Sequence, residues 1–392
     1  VSSALRGFGQ GLGDMLPTAA GQITESAGKL VIGLALCLVL LNRNAPAELC
    51  AAGAIGGVTA GAALGLLVTA FLTVRRCTLP EARDVPPSRR ETLRQLLAVG
   101  VPITVGAAGM SLITLLDQAL VTDTLQSTLG YSAAETSALY GQYTFGMTLF
   151  QLPPSFIYPI SVSLMPAITA ALTRQDRAAA GRAVGGALKL TTLAALPAGV
   201  GLSVLAEPIL LLLYPAVPDT ARAAAYHLTF LGLACVFVCL MVATNGVLQA
   251  YGRPGIPVFT LLCGGVMKIV TNYLMVGAPA TGIRGAAVST LYCYALIVVL
   301  NLIAIARCVP ERPGYIGLFA KPLLLTAVMA LAARSSYSLL TRFLSERWAV
   351  LPAILIAAAV YILLVLATGT VTRQELLALP KGEKIAQILG LR

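Results

Sequence analysis

Charge is scarce in this sequence. Only 11% of the 392 residues are Asp, Glu, Lys or Arg, whereas a soluble chain has about 25%. There is one histidine, His227, and the eight cysteines are not spaced as zinc ligands. A Walker-type phosphate loop is absent, and the glycines at 7–13 do not complete a dinucleotide motif because Leu12 takes the last glycine position. These absences argue against a soluble enzyme, and we expect no metal and no cofactor.

Long apolar runs take the place of charge. Apolar residues make up 57% of the chain, and the mean hydropathy is +0.85. A helix that crosses a bilayer needs about 20 apolar residues, and these runs are too long for the alternating strands of a barrel. The sequence therefore predicts an all-α polytopic membrane bundle of about ten transmembrane helices, with residues 1–13 as a loop. The predicted spans are 17–41, 48–73, 95–121, 142–171, 183–213, 224–250, 256–277, 283–306, 315–338 and 348–370.

The Lys and Arg residues between these spans predict the orientation. If the first span starts in the cytoplasm, 17 of the 27 basic residues lie inside, five lie outside and five lie within spans. By the positive-inside rule, both ends of the given chain are then cytoplasmic. The same bias explains the net charge of +11. We expect no nucleic-acid partner, because the basic residues are not interleaved with aromatic ones on one face.

The connection 74–94 contains six arginines and the Pro86-Pro87 pair. It is interpreted as a cytoplasmic linker between two bundles, with binding of anionic lipid as an alternative role. A faint internal repeat also suggests two bundles, although chance similarity of two membrane helices would explain it too. A shift of 239 residues places Gly7, Gln10, Gly13 and Lys29 on Gly246, Gln249, Gly252 and Lys268. The predicted organisation is 1–74 as the remnant of an N-terminal lobe with two helices, 75–94 as linker, 95–310 as a C-terminal six-helix lobe, and 311–392 as two additional helices and a cytoplasmic tail.

Ionisable residues inside the spans are the candidate functional groups, because charge is costly in a membrane. Glu25 and Lys29 stand four apart with the acid first, which favours an ion pair on one helix. Asp117 and Lys268 are each alone in their spans. Lys268 needs a partner, which is Asp117, a water-filled cavity or an anionic head group. The favoured hypothesis places Lys268 at the cavity, where it attracts a pyrophosphate.

Prolines are concentrated in the fourth predicted span, at Pro153, Pro154, Pro159 and Pro166. Each lacks an N–H and disturbs the preceding turn, so this helix is predicted to be kinked or broken. A conformational hinge and a static kink are both consistent with that pattern. On the second span, Gly53, Gly57, Gly61 and Gly65 recur every four residues, which predicts close helix packing rather than a binding site.

Several short motifs follow one another in an order that is typical of one transporter group. They are Arg6-Gly7-Phe8-Gly9-Gln10-Gly11, Met15-Leu16-Pro17-Thr18-Ala19, Gln22-Ile23-Thr24-Glu25, Leu152-Pro153-Pro154-Ser155, Ser163-Leu164-Met165-Pro166-Ala167-Ile168, Gly246-Val247-Leu248-Gln249 and Leu379-Pro380-Lys381-Gly382. In these motifs the chain resembles the multidrug/oligosaccharidyl-lipid/polysaccharide exporter (MOP) superfamily, specifically its stage V sporulation protein B-like polysaccharide flippase branch. Gly21 and Ser26 depart from the family pattern, which more usually has Ser and Gln there, and this weakens a polar role for that helix face.

The resemblance implies about fourteen helices in two lobes around a cavity that opens alternately to each side. About four helices would then precede Val1, and the given chain alone is expected not to transport. The implied substrates are undecaprenyl-pyrophosphate-linked sugars, including the peptidoglycan precursor. Membrane lipids and enzymes of cell-wall or polysaccharide synthesis are the expected partners. The candidate substrate-binding residues are Arg6, Glu25, Lys29, Asp117, Asn245, Gln249 and Lys268.

Two functions compete. A flippase for lipid-linked glycans, working in the bacterial cytoplasmic membrane, needs positive charge for a pyrophosphate, and the two intramembrane lysines favour it. A cation-coupled multidrug antiporter of the same superfamily needs a membrane carboxylate, and Asp117 keeps that alternative open. A membrane-embedded glycosyltransferase is disfavoured, because the one long loop is basic and cytoplasmic in the predicted topology.

Overall fold

The fold consists of helices throughout the part that is described. A computed structural model of the chain describes residues 1–11, 14, 16–76, 88–309 and 314–370, and within these ranges there are thirteen helices and no strand. The helices are α1 (Ser2–Gly11), α2 (Leu16–Asn42), α3 (Ala47–Arg76), α4 (Arg89–Ser127), α5 (Ala133–Phe150), α6 (Leu152–Thr173), α7 (Arg177–Val204), α8 (Ala206–Leu213), α9 (Pro218–Ala250), α10 (Gly255–Val276), α11 (Arg284–Cys308), α12 (Tyr315–Leu340) and α13 (Glu346–Ala367).

Eight of these helices, namely α2, α3, α7 and α9 to α13, are long and apolar enough to cross a membrane. This agrees with the predicted polytopic all-α membrane bundle, which is confirmed as a fold class. The prediction for residues 1–13 was a loop. The predicted loop is wrong for residues 2–11, which form α1.

Two predicted spans are each divided into two helices. The span 142–171 breaks at Gln151, between α5 and α6, because Pro153 and Pro154 lack the N–H groups that would continue the hydrogen-bond pattern of α5. The span 183–213 breaks at Leu205, between α7 and α8. Pro208 explains that break, since it cannot donate to the carbonyl four residues earlier and its ring crowds the same carbonyl.

The chain divides into two compact units, Val1–Thr92 and Leu93–Arg392. In the first unit, α2 and α3 run antiparallel in close contact. A Cβ atom added to Gly61 would lie 2.5 Å from the backbone nitrogen of Lys29 and 2.7 Å from the carbonyl oxygen of Glu25. The glycine stripe therefore does bring the two helices together, as the sequence predicts, and it does so at the level of these two ionisable residues.

In the second unit, α9 is the most buried of the eight candidate spans, and α5, α6, α7, α8 and α11 all pack against it. Its apolar residues form the main core together with residues of α4, α5, α10 and α11, including the fully buried Val121, Tyr143 and Ile297. The last two helices, α12 and α13, pack on each other and on α7, where the hydroxyl of Tyr361 donates to the carbonyl of Leu193 over 2.9 Å.

Candidate functional site

The first unit contains a centre of three charged side chains, which we call the α1–α2 charge centre (Arg6, Glu25 and Lys29). The two oxygens of the Glu25 carboxylate accept from different cations, Arg6 Nη2 at 2.7 Å and Lys29 Nζ at 2.7 Å. The side chains of Arg6 and Glu25 are each 21% exposed, and that of Lys29 is 38% exposed. One carboxylate thus faces two cations, so the centre carries an excess positive charge and remains partly accessible.

Local structure explains how this centre forms. Glu25 and Lys29 lie one turn apart on α2, whereas Arg6 reaches them from α1, which folds back beside α2 and α3. A second ion pair lies at the connection between α1 and α2. There Asp14 Oδ2 accepts from Nε of Arg76, at the end of α3, over 3.1 Å. The backbone N–H of Leu16 and then the Arg76 guanidinium lower the pKa of Asp14. The short helix that was predicted as a loop is therefore what brings the second cation to Glu25.

The second unit contains a buried polar centre around Asp117 on α4. Lys268 Nζ of α10 lies 3.1 Å from Asp117 Oδ2, and the two side chains are only 6% and 2% exposed. Asn272, one turn after Lys268, donates its Nδ2 to Asp117 Oδ1 over 2.7 Å. The hydroxyl of Tyr143 on α5 donates to Asp117 Oδ2 over 3.3 Å and lies 3.2 Å from Thr290 Oγ1 on α11. We call these five residues the Asp117 centre.

The position of Lys268 corrects one hypothesis made from the sequence. Its ammonium was expected to face a cavity and attract a pyrophosphate. The structure shows it buried and ion-paired with Asp117 instead. The physical reason is the cost of a charged side chain among membrane helices, which also led us to expect a partner for Lys268. An unpaired ammonium among apolar helices loses its hydration, and a carboxylate on the neighbouring helix replaces part of it.

The two remaining candidates on α9 do not belong to the Asp117 centre. Asn245 takes part in a polar cluster with α11, where Asn301 Nδ2 donates to Asn245 Oδ1 over 2.8 Å and to Thr244 Oγ1 over 3.0 Å. Thr260 of α10 donates to Asn301 Oδ1 over 2.7 Å. Gln249 is exposed near the C-terminal end of α9. The structure thus brings Asn245 into a helix-to-helix hydrogen-bond network but not Gln249.

The candidate hinge prolines all belong to α6. Pro153 and Pro154 are in its first turn, directly after the break at Gln151, and Pro159 and Pro166 lie further along the same helix, where their side chains are outside the described part. The predicted break in this span is confirmed. The hinge role of the prolines stays a prediction.

Sequence reasoning missed several polar residues of these centres. The missed residues are Asp14, Arg76, Tyr143, Asn272, Thr290 and Asn301. Asn272 had a usable signal, because a polar side chain four residues after an intramembrane lysine lies on the same helix face. Tyr143 had none, since an aromatic residue in an apolar span is ordinarily part of the core.

Apolar helices of membrane-crossing length, which carry two centres of paired charge, define a polytopic membrane protein. A family model described as "Lipid II flippase MurJ" matches residues 30–373. The chain therefore belongs to the MurJ lipid II flippase family and is a multi-pass bacterial membrane protein. Members of this family are transporters and not enzymes.

Curated relatives occur in Bacillus subtilis (strain 168). The chain is 28% identical to "Uncharacterized membrane protein YabM" over 398 residues, which covers 99% of the chain and 73% of the relative. It is 24% identical to "Stage V sporulation protein B", covering 79% of the chain and 59% of the relative. Identity to "Lipid II flippase MurJ" is 23%, covering 92% of the chain and 68% of the relative. The chain thus spans between 59% and 73% of the length of these relatives.

Solved structures support the same fold. The structure titled "Lipid II flippase MurJ, inward closed conformation" matches with a TM-score of 0.58 at 19% identity, covering 89% of this chain and 66% of that one. An outward-facing multidrug resistance MATE transporter of the MOP superfamily matches with a TM-score of 0.53 at 18% identity, covering 82% of this chain and 64% of that one. At these identities the matches establish the fold alone.

Proposed function

We propose that this protein is a flippase that moves an undecaprenyl-pyrophosphate-linked oligosaccharide or peptidoglycan precursor across the bacterial cytoplasmic membrane by alternating access. Family membership supports the flippase class. The observation that carries the choice of an anionic lipid-linked substrate is the α1–α2 charge centre, in which Arg6 and Lys29 share the single carboxylate of Glu25.

The chemistry of that centre suits a diphosphate. Arg6 offers a planar fork of N–H donors and Lys29 a compact ammonium, and both groups bind phosphate oxygens in proteins. Glu25 holds the two cations in place and neutralises part of their charge, which lowers the cost of keeping them between apolar helices. Because one positive charge is left over, an anion that approaches Lys29, the most exposed of the three, is attracted and not repelled.

The antiporter alternative rests on Asp117, and the structure gives an argument against it. A carboxylate that exchanges cations with a drug must be available to them, but Asp117 is already bound by Lys268, Asn272 and Tyr143. No observation in the described residues specifically favours the antiporter.

Further parts of the proposal follow from the sequence. We propose that both ends of the given chain are cytoplasmic, that 74–94 links two lobes, and that α5 and α6 move relative to each other about Gln151 during transport. Membrane lipids surround the helices, and enzymes that make or use the lipid-linked glycan are the proposed protein partners.

The experiment that tests this function is a leaflet-exchange assay. The full-length natural protein is reconstituted in liposomes with a fluorescent undecaprenyl-diphosphate-linked disaccharide, and a membrane-impermeant quencher reports the fraction in the outer leaflet over time. With the wild type, we expect the quencher to reach more than the half of the fluorescent lipid that starts in the outer leaflet. Arg6→Ala and Lys29→Ala should each slow the exchange by about tenfold or more, because each loses a charge-assisted hydrogen bond.

Lys321→Ala is the matched control, since it removes an exposed lysine of α12 that is distant in sequence from the charge centre. Its exchange rate should equal that of the wild type. A neutral drug-like fluorophore that exchanges instead of the diphosphate lipid would support the antiporter. If both single variants flip the diphosphate lipid at the wild-type rate, the charge centre has no part in substrate binding.

A further inference from the structure

A polar cavity lies in the second unit, between the end of α7, the start of α8, the end of α12 and the start of α13, with α9 along one side. Its volume is about 670 Å³, and small-molecule sites in proteins have about 300–1,000 Å³. Charged and aromatic side chains line it together, and we call it the α8–α12 cavity (Glu207, Tyr226, Arg334, Tyr337 and Glu346). Among the described residues that line it, none belongs to the Asp117 centre. The cavity is therefore a second polar site of this unit.

Two opposite charges line this cavity without pairing with each other. Arg334 lies near the end of α12, and Glu346 is the first residue of α13. In the part of the chain that the structure describes, neither side chain makes an ion pair or a hydrogen bond. Glu207 differs, because Arg222 Nε lies 3.6 Å from its Oε1. An unpaired guanidinium and an unpaired carboxylate in one cavity fit a ligand that carries both an anionic and a cationic group.

The position of Arg334 indicates that such a ligand comes from the membrane. It lies six residues before the end of α12 at Leu340, which is about 9 Å at 1.5 Å per residue. Leu331, three residues earlier on the same side of the helix, is 68% exposed and belongs to a surface that faces lipid. Tyr226 and Tyr337 are of a residue type that is enriched where lipid head groups meet hydrocarbon. The cavity therefore lies at the depth of head groups, where arginine side chains pair with them.

We infer that the α8–α12 cavity binds the head group of a phospholipid that carries phosphoethanolamine. The phosphate oxygens accept from the guanidinium of Arg334, and the primary ammonium donates to the carboxylate of Glu346. A choline head group has no N–H to donate. A glycerol head group has no cation, and its phosphate would meet two carboxylates and only one guanidinium among the described residues of the cavity. In the proposed topology this lipid belongs to the outer leaflet.

The inference does not depend on the transported substrate, so a binding measurement without substrate tests it. The full-length natural protein is purified in detergent, and its thermal unfolding midpoint is measured with equal amounts of phosphatidylethanolamine, phosphatidylcholine or phosphatidylglycerol that have the same acyl chains. We expect the wild-type midpoint to be higher with phosphatidylethanolamine than with phosphatidylcholine by about 2 °C or more, because a ligand that binds only the folded state stabilises it. Phosphatidylglycerol should give the phosphatidylcholine value. Free phosphoethanolamine at the concentration of the lipid should leave the midpoint unchanged.

Two variants identify the cavity. Arg334→Gln and Glu346→Gln each remove one charge, and both should abolish the difference between the ethanolamine and choline lipids. Because both side chains are exposed, each variant should keep the wild-type midpoint in phosphatidylcholine, and either one is sufficient if the other does not fold. Arg342→Gln is the matched control, since Arg342 is an exposed arginine just after α12 that is not among the described residues of the cavity. It should keep the wild-type difference.

Four results would overturn the inference. Equal wild-type midpoints with the ethanolamine and choline lipids would show that the head group is not selected. An equal rise with phosphatidylglycerol would show that Arg334 attracts any anionic lipid. A difference that persists in Arg334→Gln and Glu346→Gln would belong to the lipid mixture and not to the cavity. The same rise with free phosphoethanolamine would identify a soluble ligand instead of a lipid.

Discussion

The close packing of α2 on α3 gives a sharp test at Gly61. In Gly61→Ala, the added Cβ would lie 2.5 Å from the backbone nitrogen of Lys29, whereas ordinary contact begins at 3.4 Å. The two helices must therefore separate by about 0.9 Å at this level. The two nearest obstructing atoms belong to the backbone, so a change of the Lys29 rotamer does not relieve the clash. Such overpacking costs about 1–3 kcal/mol.

The higher helix propensity of alanine opposes the cost of this clash. Alanine is a better helix former than glycine by about 1 kcal/mol. Because the clash involves two backbone atoms of α2, Lys29 N and Glu25 O, we expect the clash to outweigh the gain in helix propensity, with a net loss of up to about 2 kcal/mol. Gly56 is the matched control on the same helix. A Cβ there meets only the Leu36 side chain at 3.7 Å, so Gly56→Ala should be neutral or stabilising.

The assay is reversible unfolding of the full-length protein in mixed micelles, followed by circular dichroism, for the wild type and the two variants. Flipping should also slow in Gly61→Ala, since the shift displaces the backbone that carries Glu25 and Lys29. If Gly61→Ala is as stable as Gly56→Ala, α2 and α3 do not approach as closely as the structure shows, and the packing argument fails.

Three other predictions follow from the polar contacts and the charge distribution. Lys268→Ala should lower the free energy of unfolding by about 3–5 kcal/mol, because it leaves the buried carboxylate of Asp117 unpaired. Adding Asp117→Asn should recover part of that loss in a double-mutant cycle. Equal effects of the single and double variants would contradict the ion pair. The pKa of Asp14 is lowered in the folded state, so its contribution to stability is complete above the unfolded pKa of about 3.9 and is lost as the pH falls through the folded value. Asp14→Asn should therefore be less stable than the wild type at neutral pH, with a difference that disappears in acid unfolding curves. Cysteines introduced at 123–139 should be labelled from outside intact cells. Labelling of cysteines at 74–94 from outside would show that the topology is the inverse of the predicted one.

Hydropathy was sufficient to predict the membrane fold, because the length and composition of a helix are enough to identify it as one that crosses a bilayer. The ion pair between Glu25 and Lys29 was also predictable, since residues four apart on a helix face the same way. The partner of Lys268 was not. Asp117 was one of three candidates, and choosing among them required knowing which faces of α4 and α10 meet.

Helix breaks show the same limit. The prolines at 153 and 154 predicted a disturbance in their span, and one occurs at Gln151. The break at Leu205 was not predicted, because the predicted span 183–213 is apolar over most of its length on both sides of Glu207 and Pro208. The residues of α1 were misassigned for the opposite reason, as their many glycines resemble a loop.

The start of α6 bears on the cost of inserting this helix into a bilayer. A helix that begins inside hydrocarbon ordinarily exposes up to four N–H groups that no water can satisfy, each costing several kcal/mol. Gln151 makes no side-chain capping bond to those groups, but two of the first positions are Pro153 and Pro154, which have no N–H to satisfy. The same residues that interrupt the helix therefore remove about half of the donors that the interruption would leave unsatisfied. Replacing both prolines with alanine would add two backbone donors at the start of α6 unless this helix became continuous with α5.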